Sequence, residues 1–137
     1  MDEKLNILIV DDHALSRSTI KMALQFLVNC TLKEAGGGKD AITQLEQSVK
    51  AGPSFHLIIC DWLMPEVDGM AVLKWVRSHP KTKDTPFVMC TAEQEMKSVT
   101  QAIKAGASGY ITKPITSETF REKINPILKK LGHEMGA

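Results

Sequence analysis

Four short apolar runs in this chain each end on side chains able to handle a phosphoryl group. Ile7-Leu8-Ile9-Val10 ends on Asp11-Asp12, and Leu57-Ile58-Ile59-Cys60 ends on Asp61. Phe87-Val88-Met89-Cys90 ends on Thr91, and Gly109-Tyr110-Ile111-Thr112 ends on Lys113-Pro114. Asp61 is a candidate acceptor, because a carboxylate ionised at neutral pH attacks phosphorus without a base and gives an acyl phosphate. Its obstacle is charge, since one anion must approach another. A divalent cation removes that obstacle, and Mg²⁺ takes one or two carboxylates together with phosphate oxygens and waters. Asp11 and Asp12 could supply those carboxylates. Lys113 would neutralise a further phosphoryl oxygen as a point charge, and Thr91 would donate a hydroxyl hydrogen bond to another.

Each residue taken alone has a plainer explanation. An Asp between a strand and a helix is often an N-cap, as Asp12 would be. Asp61 alone could close an Asx-turn, Thr91 could be a strand-end β-branched residue, and Lys113 a solvated lysine. What argues against four coincidences is their joint placement, each directly after a separate apolar run.

Positioning these ends requires parallel strands, and the pattern alternates strand and helix five times. The first strand, about Asn6 to Val10, is an unbroken apolar run of the kind buried on both faces. The first helix runs to about Val28 with Ile20, Leu24, Leu27 and Val28 at helical spacing. A short second strand near Thr31 to Ala35 meets Gly36-Gly37-Gly38, and the next helix repeats Ala41, Leu45 and Val49. Ala51-Gly52-Pro53-Ser54 breaks that helix before the third strand. Asp68 is placed to cap helix three, whose apolar face is Val72, Leu73 and Val76 and which must stop before Pro80. Helix four, around Lys97 to Ala105, carries Val99, Ala102 and Ile103, with Gly106 as its stop. Thr116 can cap helix five, whose stripe is Phe120, Ile124, Ile127, Leu128 and Leu131. Gly132 is expected to end it, leaving a short frayed tail. Pro126 falls inside that helix and removes a backbone bond, so a bend is expected there rather than an early end.

Strand–helix alternation implies βαβ crossovers and a mostly parallel sheet with right-handed connections. Ligands of such open sheets bind beyond the carboxyl ends of the strands. At 137 residues, 43% hydrophobic and 24% charged, the chain reads as one globular domain (1–137, core about 5–132). A net charge of +1 gives no electrostatic case for direct nucleic acid binding. No apolar run approaches the roughly 20 residues of a membrane helix, so no membrane insertion is expected, and the acidic start argues against a signal peptide. Three widely spaced cysteines suggest neither a disulfide framework nor a zinc site. Cys60 and Cys90 read as small hydrophobes in buried strands. A reducing, cytoplasmic setting fits.

The turn Asp61-Trp62-Leu63-Met64-Pro65-Glu66-Val67-Asp68-Gly69 carries Pro and Gly at offsets that redirect the chain into helix three. Here the sequence resembles the receiver domains of bacterial two-component response regulators, across nearly the whole chain from Ile7 to Gly132. Asp61-Trp62, Thr91-Ala92-Glu93, Ala105-Gly106-Ala107-Ser108-Gly109-Tyr110 and Lys113-Pro114 are most like those of the chemotaxis regulators. The resemblance implies a doubly wound (βα)5 flavodoxin-like α/β fold with strand order 2-1-3-4-5. It implies that Asp61 is phosphorylated from a sensor histidine kinase or a histidine phosphotransfer domain. It implies a Mg²⁺ held by the carboxylates of Asp12 and Asp61 and the backbone carbonyl of Leu63, with Asp11 in the acidic pocket acting through water. Lys113 would contact the phosphoryl group, and the Lys113–Pro114 bond would be cis. Thr91 and Tyr110 match the switch pair, Thr91 moving to the phosphoryl group and Tyr110 turning inward behind it. The output partner, such as the flagellar motor switch, would meet the face of helix four, strand five and helix five.

Three residues depart from the pattern of the chemotaxis relatives. Leu63 stands where they carry Asn, which puts dephosphorylation behaviour in question while leaving a carbonyl for the metal. His13 stands where they have an aromatic, and reads as a helix-start residue, since Mg²⁺ prefers oxygen. Pro126 touches the expected partner face. The implied role is a signalling switch rather than a turnover enzyme, its only catalysis being its own phosphorylation from small donors and its own dephosphorylation. Alternatives are a phosphorelay intermediate or a receiver cut from a longer regulator. More remote is an aspartyl-phosphate phosphatase of the haloacid dehalogenase kind, which needs D-x-D after the first strand and a cap for its substrate. A flavodoxin-like FMN binder would need a Ser-, Thr- and Gly-rich loop where Asp11-Asp12 stands.

Overall fold

In a computed structural model that describes residues 4–134, the chain forms five strands and five helices in strict alternation. They are β1 (Leu5–Val10), α1 (Ala14–Leu27), β2 (Cys30–Ala35), α2 (Gly38–Ala51) and β3 (Leu57–Cys60). Then follow α3 (Gly69–Ser78), β4 (Phe87–Thr91), α4 (Met96–Lys104), β5 (Gly109–Thr112) and α5 (Ser117–Glu134). All strand pairs are parallel and the order is β2-β1-β3-β4-β5, as expected.

The reason the strands read as continuous apolar runs is that both faces of the sheet are covered. Side chains alternate between faces along a strand. Leu8, Val10, Ile58, Cys60, Phe87 and Met89 pack under α2, α3 and α4. Ile7, Ile9, Leu57, Ile59, Val88 and Cys90 pack under α1 and α5, against Ile20, Leu24, Phe120 and Ile124. Strand order reverses between β2-β1 and β3-β4-β5, so the crevice beyond β1 and β3 is the switch point where such sheets bind ligands. Register then decides what stands there. Val10 lies opposite Cys60, and Thr91 opposite Thr112, so Asp11 is brought level with Asp61 and Lys113 follows the end of β5.

Helix ends obey local chemistry. The Asp68 carboxylate accepts from the Ala71 N–H at 2.9 Å, and the Thr116 hydroxyl accepts from the Thr119 N–H at 3.1 Å. α3 stops at Ser78, with His79 as its C-cap ahead of Pro80. Gly106 follows α4 at φ 110°, a conformation open to glycine. Two expectations fail. Gly132 does not end α5, which continues to Glu134; an internal glycine costs only about 1 kcal/mol, and buried Leu131 holds that turn to the core. The expected tail is therefore helical at its start, and the rest of it, 135–137, lies outside the described residues. On α4, Ala102 is fully buried but Ile103 is exposed. A nine-residue helix presents one narrow face to the sheet, and Ile103 lies about 100° from Ala102 around it. α5 runs through Pro126 without ending. Pro126 and Glu122, whose carbonyl loses its usual donor, are both exposed, where water can substitute.

Phe120 is fully buried, whereas Phe26 is 87% exposed. Urea unfolding of Phe120→Ala should show a loss of about 3–5 kcal/mol. Phe26→Ala should stay within about 0.5 kcal/mol of the parent. Equal losses would contradict this placement of α1 and α5.

Candidate functional site

The strand ends create a crowded anionic pocket. Asp11 and Asp61 are buried, and Asp12 is partly exposed. Three carboxylates in one crevice repel unless cations enter, and Lys113 is the cation the chain provides. Its ammonium donates to Asp11 Oδ2 at 2.5 Å, to Asp61 Oδ2 at 3.2 Å and to Ser16 Oγ at 3.4 Å. Burial disfavours the Lys113 charge, but the Asp11 hydrogen bond and the field of Asp61 outweigh it, so its pKa rises above the ordinary lysine value. The Lys113–Pro114 peptide is cis, as is Gly52–Pro53.

Asp61 is aimed by the turn that follows it. Leu63 N–H donates to Asp61 Oδ1 at 3.3 Å, and Gly69 N–H donates to the Trp62 carbonyl at 2.9 Å. That closure brings the start of α3 against the Asp61 backbone. A Cβ on Gly69 would sit 2.2 Å from the Asp61 carbonyl oxygen, so only glycine fits. Glu66 takes a left-handed φ of 67° at the turn's apex, a conformation uncommon outside glycine.

Asp12 is not an N-cap. α1 begins at Ala14 with His13 in the cap position, and no side chain caps it. Instead Asp12 Oδ1 is buried without a hydrogen-bond partner, a state that is costly unless something binds it. One ligand atom each from Asp11, Asp12, His13 and Asp61 lies within 4.8 Å of the others. These donors fit a divalent cation: carboxylate oxygens, one of them unsatisfied, suit Mg²⁺. Asp12 and Asp61 would hold it directly, and Leu63, whose peptide borders Asp61, is positioned at the same rim.

Thr91 and Tyr110 are connected through one residue. Thr91 is fully buried, and its Oγ1 accepts from the Glu93 N–H at 3.3 Å. The Tyr110 hydroxyl donates to the Glu93 carbonyl at 2.7 Å, with the ring buried. Both partners of the expected switch thus bond to the Glu93 backbone. Burial pushes the Tyr110 phenol up to about 12, with the charges of Glu93 and Asp61 adding to it. The Cys60 and Cys90 thiols are also pushed up by burial, which suits the hydrophobe reading.

Reasoning from sequence missed several contributors. Arg17 donates to the Asp11 carbonyl at 2.7 Å and to Glu34 at 3.0 Å, tying α1 to the ends of β1 and β2. Ser16 reaches Lys113, and the Glu93 backbone bonds to both Thr91 and Tyr110. Their signal was weak because each acts from a helix or loop whose tilt no local pattern encodes. A groove of about 490 Å³ opens beside Lys113, walled by Leu15, Thr19, Ala92 and Ile115.

A doubly wound five-stranded sheet, with acids and a lysine at its switch point and a Thr–Tyr pair beyond, defines a phosphoacceptor signalling domain. The chain belongs to the response regulator receiver domain family, which it matches over residues 7–125. It is similar to the chemotaxis protein CheY-3 of Vibrio cholerae, 34% identical over 131 residues, covering 96% of this chain and 97% of that one. It is equally 34% identical to the chemotaxis protein CheY of Pseudomonas aeruginosa, over 93% of this chain and 98% of that protein. The solved structure of Vibrio cholerae CheY4 superimposes with a TM-score of 0.75 at 29% identity, over 94% of this chain and 99% of that one. Members of this family signal by accepting a phosphoryl group and are not turnover enzymes. Among the described residues, no helix is long and apolar enough to cross a membrane.

Tyr110 is the only tyrosine in the chain, so phenolate absorbance reports on it alone. In the folded protein little phenolate should form at about pH 11, whereas in urea it should titrate near 10. Because the folded value is the higher, the native state holds the proton more tightly between these values, and stability falls as pH rises through them. A folded-state midpoint near 10 would contradict the buried hydroxyl. Gly69→Ala should lower stability by about 1–3 kcal/mol in urea, and an unchanged midpoint would contradict the close approach to Asp61.

Proposed function

We propose that this chain is a Mg²⁺-dependent phosphorylation switch that accepts one phosphoryl group on Asp61 from a phosphohistidine donor. The observation that carries it is the Lys113 ammonium bridging Asp11 and Asp61 beside the unsatisfied Asp12 Oδ1. Asp61 Oδ attacks phosphorus, the P–N bond of the donor breaks, and imidazole leaves with its electron pair and takes a proton from solvent. Lys113 already lies on the Asp61 oxygen, and would pair with a phosphoryl oxygen as charge builds there. Mg²⁺, held by Asp12, Asp61 and the Leu63 carbonyl with Asp11 acting through water, would screen the attacking and transferred anions from each other. Thr91 gives up the Glu93 N–H to donate to the phosphoryl group. The Glu93 backbone it leaves also holds Tyr110, so the change passes to that ring.

Two surfaces serve the two partners. Leu15, Met22 and Phe26 are exposed on α1 at spacings of seven and four, one side of the helix. They run beside the groove next to Lys113, and such exposed apolar patches mark interaction sites. This face suits a helical donor, a sensor histidine kinase or a histidine phosphotransfer domain, bringing its phosphohistidine to the pocket. Across the molecule, Val99, Ile103, Tyr110, Pro126 and Ile127 line a second groove of about 610 Å³ between α4, β5 and α5. Because Tyr110 reaches it, this face suits the output partner, by likeness to chemotaxis relatives a flagellar motor switch protein in the cytoplasm. We read 1–137 as one receiver unit.

Acetyl phosphate with Mg²⁺ should add one phosphoryl group to the parent and none to Asp61→Asn, read by intact mass. Equal labelling of both would refute Asp61 as acceptor. Asp12→Ala should weaken Mg²⁺ binding on the order of tenfold or more, followed by Trp62 fluorescence or calorimetry. Unchanged affinity would remove Asp12 from the metal.

A further inference from the structure

His13 was read from sequence as a residue that starts a helix, and it does occupy the cap position of α1. It makes no side-chain cap, however, and its ring turns back over the acids. Nδ1 lies 3.2 Å from Asp12 Oδ1 and 3.5 Å from Asp11 Oδ1. The approach to Asp12 is not aligned as a hydrogen bond, since that oxygen has no partner. The other Asp11 oxygen is taken by Lys113, while Asp11 Oδ1 receives the His13 backbone N–H at 2.9 Å. That bond fixes where the imidazole begins, so the ring needs little movement to serve the pocket.

The separations have a chemical meaning. Adjacent ligands of one octahedral ion with bonds of about 2.1 Å stand about 3 Å apart, and opposite ligands about 4.2 Å. The His13 and Asp12 atoms are already near the first of these values, and the cluster as a whole spans little more than the second. Carboxylates and carbonyls suit Mg²⁺ and Mn²⁺, whereas imidazole suits Co²⁺, Ni²⁺ and Zn²⁺.

We propose that His13 Nδ1 is a ligand for a transition divalent cation in this pocket, giving the site a cation preference that its oxygen donors alone would not confer. The inference rests on the reading of Asp11, Asp12 and Asp61 as a divalent-cation site. His13 supplies a nitrogen to Co²⁺ and leaves Mg²⁺ on the oxygens, so the residue sets which cation occupies the switch when both are present.

The test uses the full chain without a histidine tag, at about pH 8, where an ordinary imidazole is neutral. Calorimetry measures Mg²⁺ and Co²⁺ separately on the parent, His13→Phe and His13→Gln, after thermal melting shows that a variant folds. Co²⁺ affinity should fall on the order of tenfold, while Mg²⁺ affinity stays within about twofold. The Co²⁺-loaded parent should show hyperfine-shifted, non-exchangeable imidazole ring C–H signals by proton NMR that are absent from both variants. Equal effects on the two cations, or signals that are missing in the parent or persist in the variants, would overturn the proposal. Asp12→Ala separates the two layers of the argument: it should weaken both cations, and if it weakens neither, the acidic pocket itself is not the cation site.

Discussion

Like-charge crowding at one edge of a parallel sheet is the constraint on which the rest of this structure depends. β1 and β3 are neighbours in register, so Asp11 and Asp61 cannot avoid each other, and Asp12 joins them. Ionised acids in that arrangement repel one another unless a positive charge stands among them. Lys113 arrives from β5, two strands from β3, and touches both buried carboxylates. One ammonium against three acids leaves the pocket short of positive charge. That deficit and the unpartnered Asp12 oxygen are what support the proposal that a cation, and with it a phosphoryl group, binds here.

Other features read as consequences of holding that pocket in shape. Gly69 lets α3 begin against the Asp61 carbonyl, and Arg17 pins the Asp11 carbonyl from α1. Behind the pocket, Thr91 and Tyr110 share the Glu93 backbone. In the proposed switch, a Thr91 hydroxyl that changed partner would act on the same backbone segment that holds the Tyr110 hydroxyl. Leu63 stands beside Asp61 with its apolar side chain more than half exposed. That side chain offers no hydrogen bond to water entering the pocket there.

Much of this was legible in the sequence, for a physical reason. A strand buried on both faces must be apolar throughout, so the first polar residue after it marks the sheet edge. Asp11, Asp61 and Lys113 were found that way, while Asp68 and Thr116 were found as capping residues just before helical apolar stripes. What stayed hidden depends on orientations in three dimensions. Nothing local says that Arg17 bends toward the Asp11 carbonyl, or that the His13 ring folds over Asp12. Ile103 was misread because spacing alone does not give the width of the face that α4 presents. Gly132 was misread because glycine permits a helix to stop but does not compel it.

The central claim is that this pocket stores a phosphoryl group on Asp61 as an acyl phosphate. Borohydride reduction of the chain after incubation with Mg²⁺ and a small phosphodonor, followed by peptide mass mapping, tests it most directly. An acyl phosphate is reduced to the alcohol, so the account requires homoserine at position 61 and nowhere else. Homoserine at another acid, or a phosphoryl group that survives reduction on a serine, threonine or histidine, would contradict it.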